Sequence, residues 1–432
     1  MSPRDQLRQA RKQEELGDWL SAAATYDQLA EQHPDDHRLR TNQANALWLA
    51  DLPAAATASY RRALALEPTC PVSQRGLASC LRDLNRFEEA MELHQQLEQR
   101  LPPESPDAQA NLWAHSQVLI GLERFAEAFE RMACRRLSPL GDPGPTYDVL
   151  SQQLTVVSEQ GFGDSLQYVR FVLPLHDQRQ AAGLCGGVRL LVEPALVDLL
   201  RQGLAWLKDP PSVEQKPSEG SCHDHALTLL TLPAALGVNQ VGFTGDDAVY
   251  LSAPHWFQSP VRPEATSMVR VGLVSTAGLA GQDPFCRREF QKRSLPAAIL
   301  WRLVDELRAQ GAELHDLQYG SAGERHRALG LQLREPSAGL EGFAATACSV
   351  GQLDLVITVD TAMAHLAGSM GRACWVLLPW SADPRWLRAG RATPWYRNTV
   401  LFRQPRPGDW HGAVDQLLES FAAVHAYPVN HL

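Results

Sequence analysis

The chain has 432 residues, of which 44% are hydrophobic and 21% charged, with a formal net charge of −9. At about 100 to 200 residues per domain this length predicts two to four domains and excludes a single small module. The acidic balance offers no global positive field for phosphate backbones or an anionic membrane, so nucleic acid is not expected as a partner. No apolar run approaches the roughly 18 residues of a membrane span, and the start, MSPRDQLRQARKQEELGDW, lacks the apolar core of a secretory signal. A cytoplasmic location is therefore expected. The eight cysteines include no C-x-x-C pair, so neither a disulfide framework nor a standard zinc site is indicated.

The first third of the chain repeats. Pro34, Pro68 and Pro102 are spaced by 34 residues, as are Ala22, Ala56 and Ala90, and Leu16, Ala50 and Leu84. Each unit ends in proline, which cannot continue a helix, and carries a small residue where paired helices must approach closely. Leu84, Phe87 and Ala90 recur as Leu122, Phe125 and Ala128 after a shift of 38, so a fourth unit follows a longer connection through Pro102 to Pro106. The period resembles that of tetratricopeptide repeats and predicts four helix pairs in a solenoid over residues 1–137. Such an array either offers a concave face to an acceptor or partner protein, or packs on the rest of its own chain.

After the Pro/Gly-rich segment 138–145, helical periodicity gives way to short apolar runs alternating with amphipathic stretches. Strands are expected at 154–158 and 188–193 and helices at 165–176 and 194–202, within a first α/β domain spanning 146–255. The segment 252–265, with three prolines, reads as a linker. A second α/β domain, 265–432, is expected to carry strands at 269–275, 314–319, 353–359 and 373–378. Its helices are expected at 295–310, 340–350, 362–371 and 410–423. Alternation of this kind implies parallel sheets with right-handed crossovers, whose ligands sit beyond the carboxyl ends of the strands.

Three strand ends carry candidate chemistry. The first strand runs into Glu159-Gln160-Gly161-Phe162-Gly163-Asp164, where glycines allow close approach of a ligand and a helix begins. The spacing is not a dinucleotide fingerprint, and Asp164 suits either a helix N-cap or a reactive carboxylate. The strand LDLVITV ends in Asp360-Thr361-Ala362, with His365 one turn into the following helix on the face of Thr361. A helix N-terminus there could hold a diphosphate, although a cap with a core histidine satisfies the same residues. The run Arg287 to Ser294, with four cations, reads as one loop that could neutralise phosphate. Five tryptophans between Trp375 and Trp410 could stack on sugar rings or pack a core. Cys222-His223-Asp224-His225 has ligand-type residues but no partner cluster, so no metal site is expected.

Six segments in order, SEQGFGDSLQYVRFVLPL (158–175), HALTLLTLPAALG (225–237), DLQYG (316–320), DLVITVDTAMAHLAGSMG (354–371), WVLLPWSADPRW (375–386) and PWYRNTVLFRQPRPGDW (394–410), resemble bacterial tetratricopeptide-repeat glycosyltransferases with a heptosyltransferase-like catalytic region. The resemblance implies α/β with an all-α N-terminal part, two Rossmann-like domains in a GT-B architecture. It implies a metal-independent, inverting transfer of sugar from a nucleotide diphosphate sugar to an acceptor hydroxyl, with no cofactor beyond the donor. Asp164 takes the role of general base, on the acceptor-side loop with Gly161 and Gly163. Thr276, Lys292, Arg293, Asp360, Thr361, Ala362 and His365 take the role of donor-binding residues. Where relatives carry Trp after Gly-Leu-Val, this chain has Ser275, so the donor stays open. Alternatives are an interaction scaffold with a catalytically silent transferase-like region, and a nucleotide-sugar epimerase.

Overall fold

The computed structural model describes residues 2–133, 148–217, 227–242, 249–251, 268–278, 281, 283–335 and 341–426. The expected linkers at 138–145 and 252–265 and the run Cys222 to His225 lie outside the described residues.

Eight helices fill the first 133 residues in antiparallel pairs: α1 (Pro3–Glu15), α2 (Trp19–Gln32), α3 (His37–Leu49), α4 (Pro53–Leu66), α5 (Pro71–Asp83), α6 (Phe87–Arg100), α7 (Pro106–Gly121) and α8 (Phe125–Ala133). Their boundaries follow from local chemistry. Pro occupies the first turn of α1, α4, α5 and α7, where its missing N–H has no partner to lose. Ser2, Asp18, Asp36 and Ser105 cap α1, α2, α3 and α7 through their side-chain oxygens. The turn inside each pair passes through one residue at positive φ: Gly17 (74°), Asp51 (59°), Asn85 (64°) and Glu123 (60°). These positions keep the spacing of 34, 34 and then 38. Ala22, Ala56, Ala90 and Ala128 are fully buried, and Gly76 and Gly121 lie so close under Tyr60 and Phe87 that a Cβ would stand 2.3 and 2.2 Å from the rings.

The first parallel sheet has the order β3-β2-β1-β4. Along the chain it comprises β1 (Leu154–Val157), α9 (Phe162–Tyr168), a 3-10 turn (Val169–Phe171), α10 (Val172–Ala181), β2 (Val188–Val192), α11 (Pro194–Gly203), β3 (Ser212–Gln215), β4 (Leu227–Thr228) and α12 (Leu232–Ala235). The single helix expected at 165–176 is thus two helices, and the first begins at Phe162.

The second parallel sheet has the order β6-β5-β7-β8-β9. It comprises β5 (Val269–Val274), α13 (Pro284–Arg293), α14 (Ala297–Ala309), β6 (Ala312–Asp316), α15 (Ser321–Ala328), α16 (Phe343–Gly351), β7 (Leu355–Val359), α17 (Ala362–Ser369), β8 (Cys374–Leu378), β9 (Thr399–Arg403) and α18 (Trp410–Ala426). The central strands β7 and β8 are buried throughout, as expected of strands covered on both faces. Leu303 and Leu307 of α14 and Val414 and Leu417 of α18 join Val271, Ile357 and Leu377 in one core. Val274 pairs with Thr358 in the β5–β7 register, so Thr276 and Asp360 stand at the same level beyond adjacent strand ends.

The chain divides into two compact units: Met1–Arg135 with Leu279–Lys292 and Ser381–Arg388, and the remainder, which holds both sheets. Two pieces of the second sequence domain therefore belong with the helical array. The cation run expected as a loop is helical, and Arg288 in α13 is 3% exposed, not presented to solvent. Its Nη2 donates to Asp51 Oδ1 (2.7 Å) and Asp83 Oδ2 (2.8 Å), and its guanidinium lies 4.6 Å from the centroid of the Trp48 ring. Phe285 stacks on the same indole at 5.8 Å. Arg388 pairs with Glu88 (2.6 Å) and lies over Phe87. Among the described residues no helix is long and apolar enough to cross a membrane.

Candidate functional site at facing strand ends

Both sheets lie in one compact unit, and their seam is built by α9 and α17. Tyr250 ties the two together: its hydroxyl donates to Leu166 O (2.8 Å), while the backbone N–H groups of Tyr250 and Leu251 donate to Ser369 O (both 3.1 Å). Arg170 reaches across as well, with Nη1 donating to Trp395 O at 2.7 Å and its guanidinium over the rings of Tyr250 and Trp395. Phe162 at the start of α9 meets Phe343 at the start of α16 edge to face, at 5.1 Å. Aromatic packing and charge-assisted bonds to backbone carbonyls thus hold one strand-end loop against the other.

The loop Gly161 to Asp164 sits at this seam. Gly163 faces the first turn of α17: a Cβ there would lie 3.0 Å from His365 Cδ2 and 3.6 Å from Ala362 Cα. A Cβ there would require the imidazole to give way by a few tenths of an ångström, so glycine suits so close an approach. Asp164 is the third residue of α9, not its N-cap, and its Oδ2 accepts the Gly161 N–H at 3.1 Å. This is the reaching-back half of a capping box; it fixes the carboxylate at the start of the helix. The side chain remains partly exposed.

Opposite, Thr361 caps α17, its Oγ1 accepting the Met363 N–H at 3.2 Å. Thr358 supports it from β7, with the two hydroxyls 3.1 Å apart. Asp360 is 3% exposed, and Arg293 Nη1 donates to its backbone oxygen at 3.3 Å and stands 3.8 Å from its Oδ2. His365 is buried, with Nδ1 2.8 Å from the Tyr396 hydroxyl. Gly163, Ala362 and His365 thus meet at the seam, with Asp360, Thr361 and Arg293 at the adjoining strand end. Lys292 is placed differently: its Nζ is paired with Glu289 Oε1 at 2.8 Å within α13, and its side chain is 6% exposed. Thr276 is 3% exposed, with its N–H, carbonyl and hydroxyl all hydrogen-bonded. Of the five tryptophans, Trp375, Trp386, Trp395 and Trp410 are core residues, while Trp380 is 37% exposed beyond β8.

The structure adds residues that the strand pattern did not single out. Gln318 Oε1 accepts the N–H groups of Ser275 (3.0 Å) and Thr276 (2.9 Å), and its Nε2 donates to Thr276 O (3.0 Å). Arg325 Nη1 donates to Thr276 Oγ1 at 2.7 Å. Gln318 lies within DLQYG and Arg325 shortly after it, so the motif marked the region but not the roles. Among the described residues no group of three or more His, Cys, Asp or Glu is placed to hold a metal.

No protein-family model and no curated protein sequence matches the chain. Among solved structures, a glycosyl transferase family 9 protein from Veillonella parvula is 12% identical with a TM-score of 0.45, covering 66% of this chain and 99% of that one. The E. coli heptosyltransferase WaaC with ADP is 14% identical with a TM-score of 0.42, covering 62% and 100%. An O-GlcNAc transferase of Thermobaculum terrenum is 14% identical with a TM-score of 0.33, covering 98% and 91%.

Proposed function

We propose that the two-sheet unit is an inverting glycosyltransferase that moves a sugar from a nucleotide diphosphate sugar to an acceptor hydroxyl. One observation carries the reading. The Asp164 loop of one sheet lies against the first turn of α17 in the other, with Gly163 packed on His365 and Ala362. A carboxylate at one strand end and an anion-holding helix start at another are the two groups that such a transfer needs.

In the proposed step, Asp164 takes the proton of the acceptor hydroxyl as its oxygen bonds to the anomeric carbon. The bond from that carbon to the diphosphate breaks, and its electron pair leaves on the phosphate. Arg293 and the backbone amides opening α17 stabilise that charge. Attack from the face opposite the leaving group inverts the centre. No step calls on a metal. The acceptor is a glycan or a protein, and the helical array either recruits it or serves the chain's own fold. Burial of Arg288 against Trp48, Asp51 and Asp83, with Phe285 stacked on the same indole, favours the second role for that part of the array.

A thermal-shift screen with UDP-, GDP-, ADP- and dTDP-sugars is expected to raise the melting temperature with one of them. Stabilisation by none would favour a silent scaffold. Turnover of a nucleotide sugar with no acceptor present would favour an epimerase. Asp164→Asn keeps the shape and removes the base, so transfer should fall about 100-fold or more while donor binding persists. Near-normal transfer by that variant would remove Asp164 from the mechanism.

A further inference from the structure

Beyond β5 the chain makes a turn, Ser275 to Ala277, in which the three backbone N–H groups and both side-chain hydroxyls have partners from elsewhere in the unit. The N–H groups of Ser275 and Thr276 donate to Gln318 Oε1, and that of Ala277 to Ser294 Oγ at 3.1 Å. The Ser275 carbonyl accepts from Leu295 N–H (2.9 Å), and the Thr276 carbonyl from Gln318 Nε2 (3.0 Å). Ser275 Oγ lies 2.6 Å from His326 Nε2, and His326 Nδ1 lies 2.9 Å from Asp316 Oδ1. Ser275 and His326 are 0% and 1% exposed, so this serine, histidine and aspartate are a structural relay with no route to a substrate.

Each of these polar groups had to be desolvated to take part, and a satisfied buried network of this kind holds the turn in one arrangement. What the turn presents is Arg325. Its Nη1 donates to Thr276 Oγ1 (2.7 Å) and its Nη2 to Leu295 O (2.9 Å), both neutral acceptors. Nearby Arg327 and Arg334 pair with Glu335 and Glu313, whereas among the described residues no carboxylate pairs with Arg325. The guanidinium is half-buried and held at two points, and its charge is not neutralised. It anchors to the turn beyond β5, the strand beside β7, and beyond the end of β7 lies Asp360, whose backbone oxygen accepts from Arg293 of α13.

We propose that Arg325 is a further anion-binding residue of this strand edge, contacting the phosphate groups of a nucleoside diphosphate, and that Gln318 and His326 are its positioning residues through the Ser275–Thr276 turn. A guanidinium fixed in advance by neutral acceptors keeps its charge for the ligand and loses little side-chain freedom on binding. This inference rests on the transferase reading.

The test is calorimetric titration of the full chain with UDP, GDP, ADP and dTDP at two salt concentrations, in parallel with thermal melting. For the nucleotide that binds the parent protein, Arg325→Gln should weaken affinity at least tenfold and flatten its salt dependence, with Arg325→Lys regaining part of the loss. Gln318→Met, which leaves Arg325 in place, should weaken the same affinity about threefold to tenfold without an equal effect on melting. Affinity within twofold of the parent in Arg325→Gln overturns the inference and leaves the transferase reading standing. Binding of none of the four nucleotides by the parent overturns both. A loss that only tracks the melting temperature across the three variants also overturns the inference, since it would reflect folding alone.

Discussion

His94 is enclosed in the helical array by the His115 ring, stacked at 5.5 Å, and by Asn111, whose Oδ1 lies 2.7 Å from its Nδ1. Burial pushes its pKa down from 6.5 to about 4, helped by His115 and Arg82 and opposed by Asn111 and Glu98. The folded chain therefore refuses a proton that the unfolded chain accepts. Its stabilising contribution is complete above pH 6.5 and is lost progressively as pH falls to about 4. That displacement is worth on the order of 3 kcal/mol. The melting temperature of the helical unit should accordingly fall between pH 6.5 and 4, and His94→Gln should flatten that part of the profile, measured by circular dichroism. The 34-residue period was plain in the sequence, but nothing in it showed His94 and His115 meeting across α6 and α7. Asp164 was legible as a residue at a helix start. Whether it stood at the N-cap or, as a fixed carboxylate, at the third helical position depended on where α9 began.

Among the elements, the turns within the helix pairs are the most regular feature and also a source of strain. Three of the four left-handed positions are occupied by Asp51, Asn85 and Glu123 where Gly17 holds the first. Asn and Asp tolerate this region better than Glu does, and Glu123 is exposed. Glu123→Gly should therefore raise stability by about 0.5 to 1 kcal/mol, read as a shift in the denaturant midpoint. The strands LDLVITV and ACWVLL were legible because a doubly covered strand must be apolar throughout. The strand Thr399–Arg403 is short and lies in a stretch rich in Trp, Pro and Arg, so no long apolar run marks it in the sequence. Helix α13 carries no apolar periodicity, because its buried face is built on an arginine. No local pattern marks a cation for burial when the carboxylates that require it, Asp51 and Asp83, lie 237 and 205 residues away in sequence.

For the molecule as a whole, that pairing joins the first third of the chain to a segment about two thirds of the way along it. Burial alone would raise the pKa of Asp83, but the guanidinium groups of Arg82 and Arg288 and the ammonium of Lys292 hold it well below the usual carboxylate range. Arg288→Ala leaves Asp83 buried with one close partner fewer, and should destabilise the helical unit by about 3 kcal/mol in chemical denaturation. Arg288→Met, which keeps the contact with Trp48, should lose less. A ribosome adding about 5 to 20 residues per second needs roughly 10 to 40 s to travel from Asp83 to Arg288, a separation of 205 residues. Throughout that interval the emerging array carries an acidic, tryptophan-lined surface still waiting for its own complement. Nascent chains are therefore most exposed to rival arginine-bearing segments before synthesis reaches α13, and a fragment cut at the end of the eight helices would keep that vulnerability permanently.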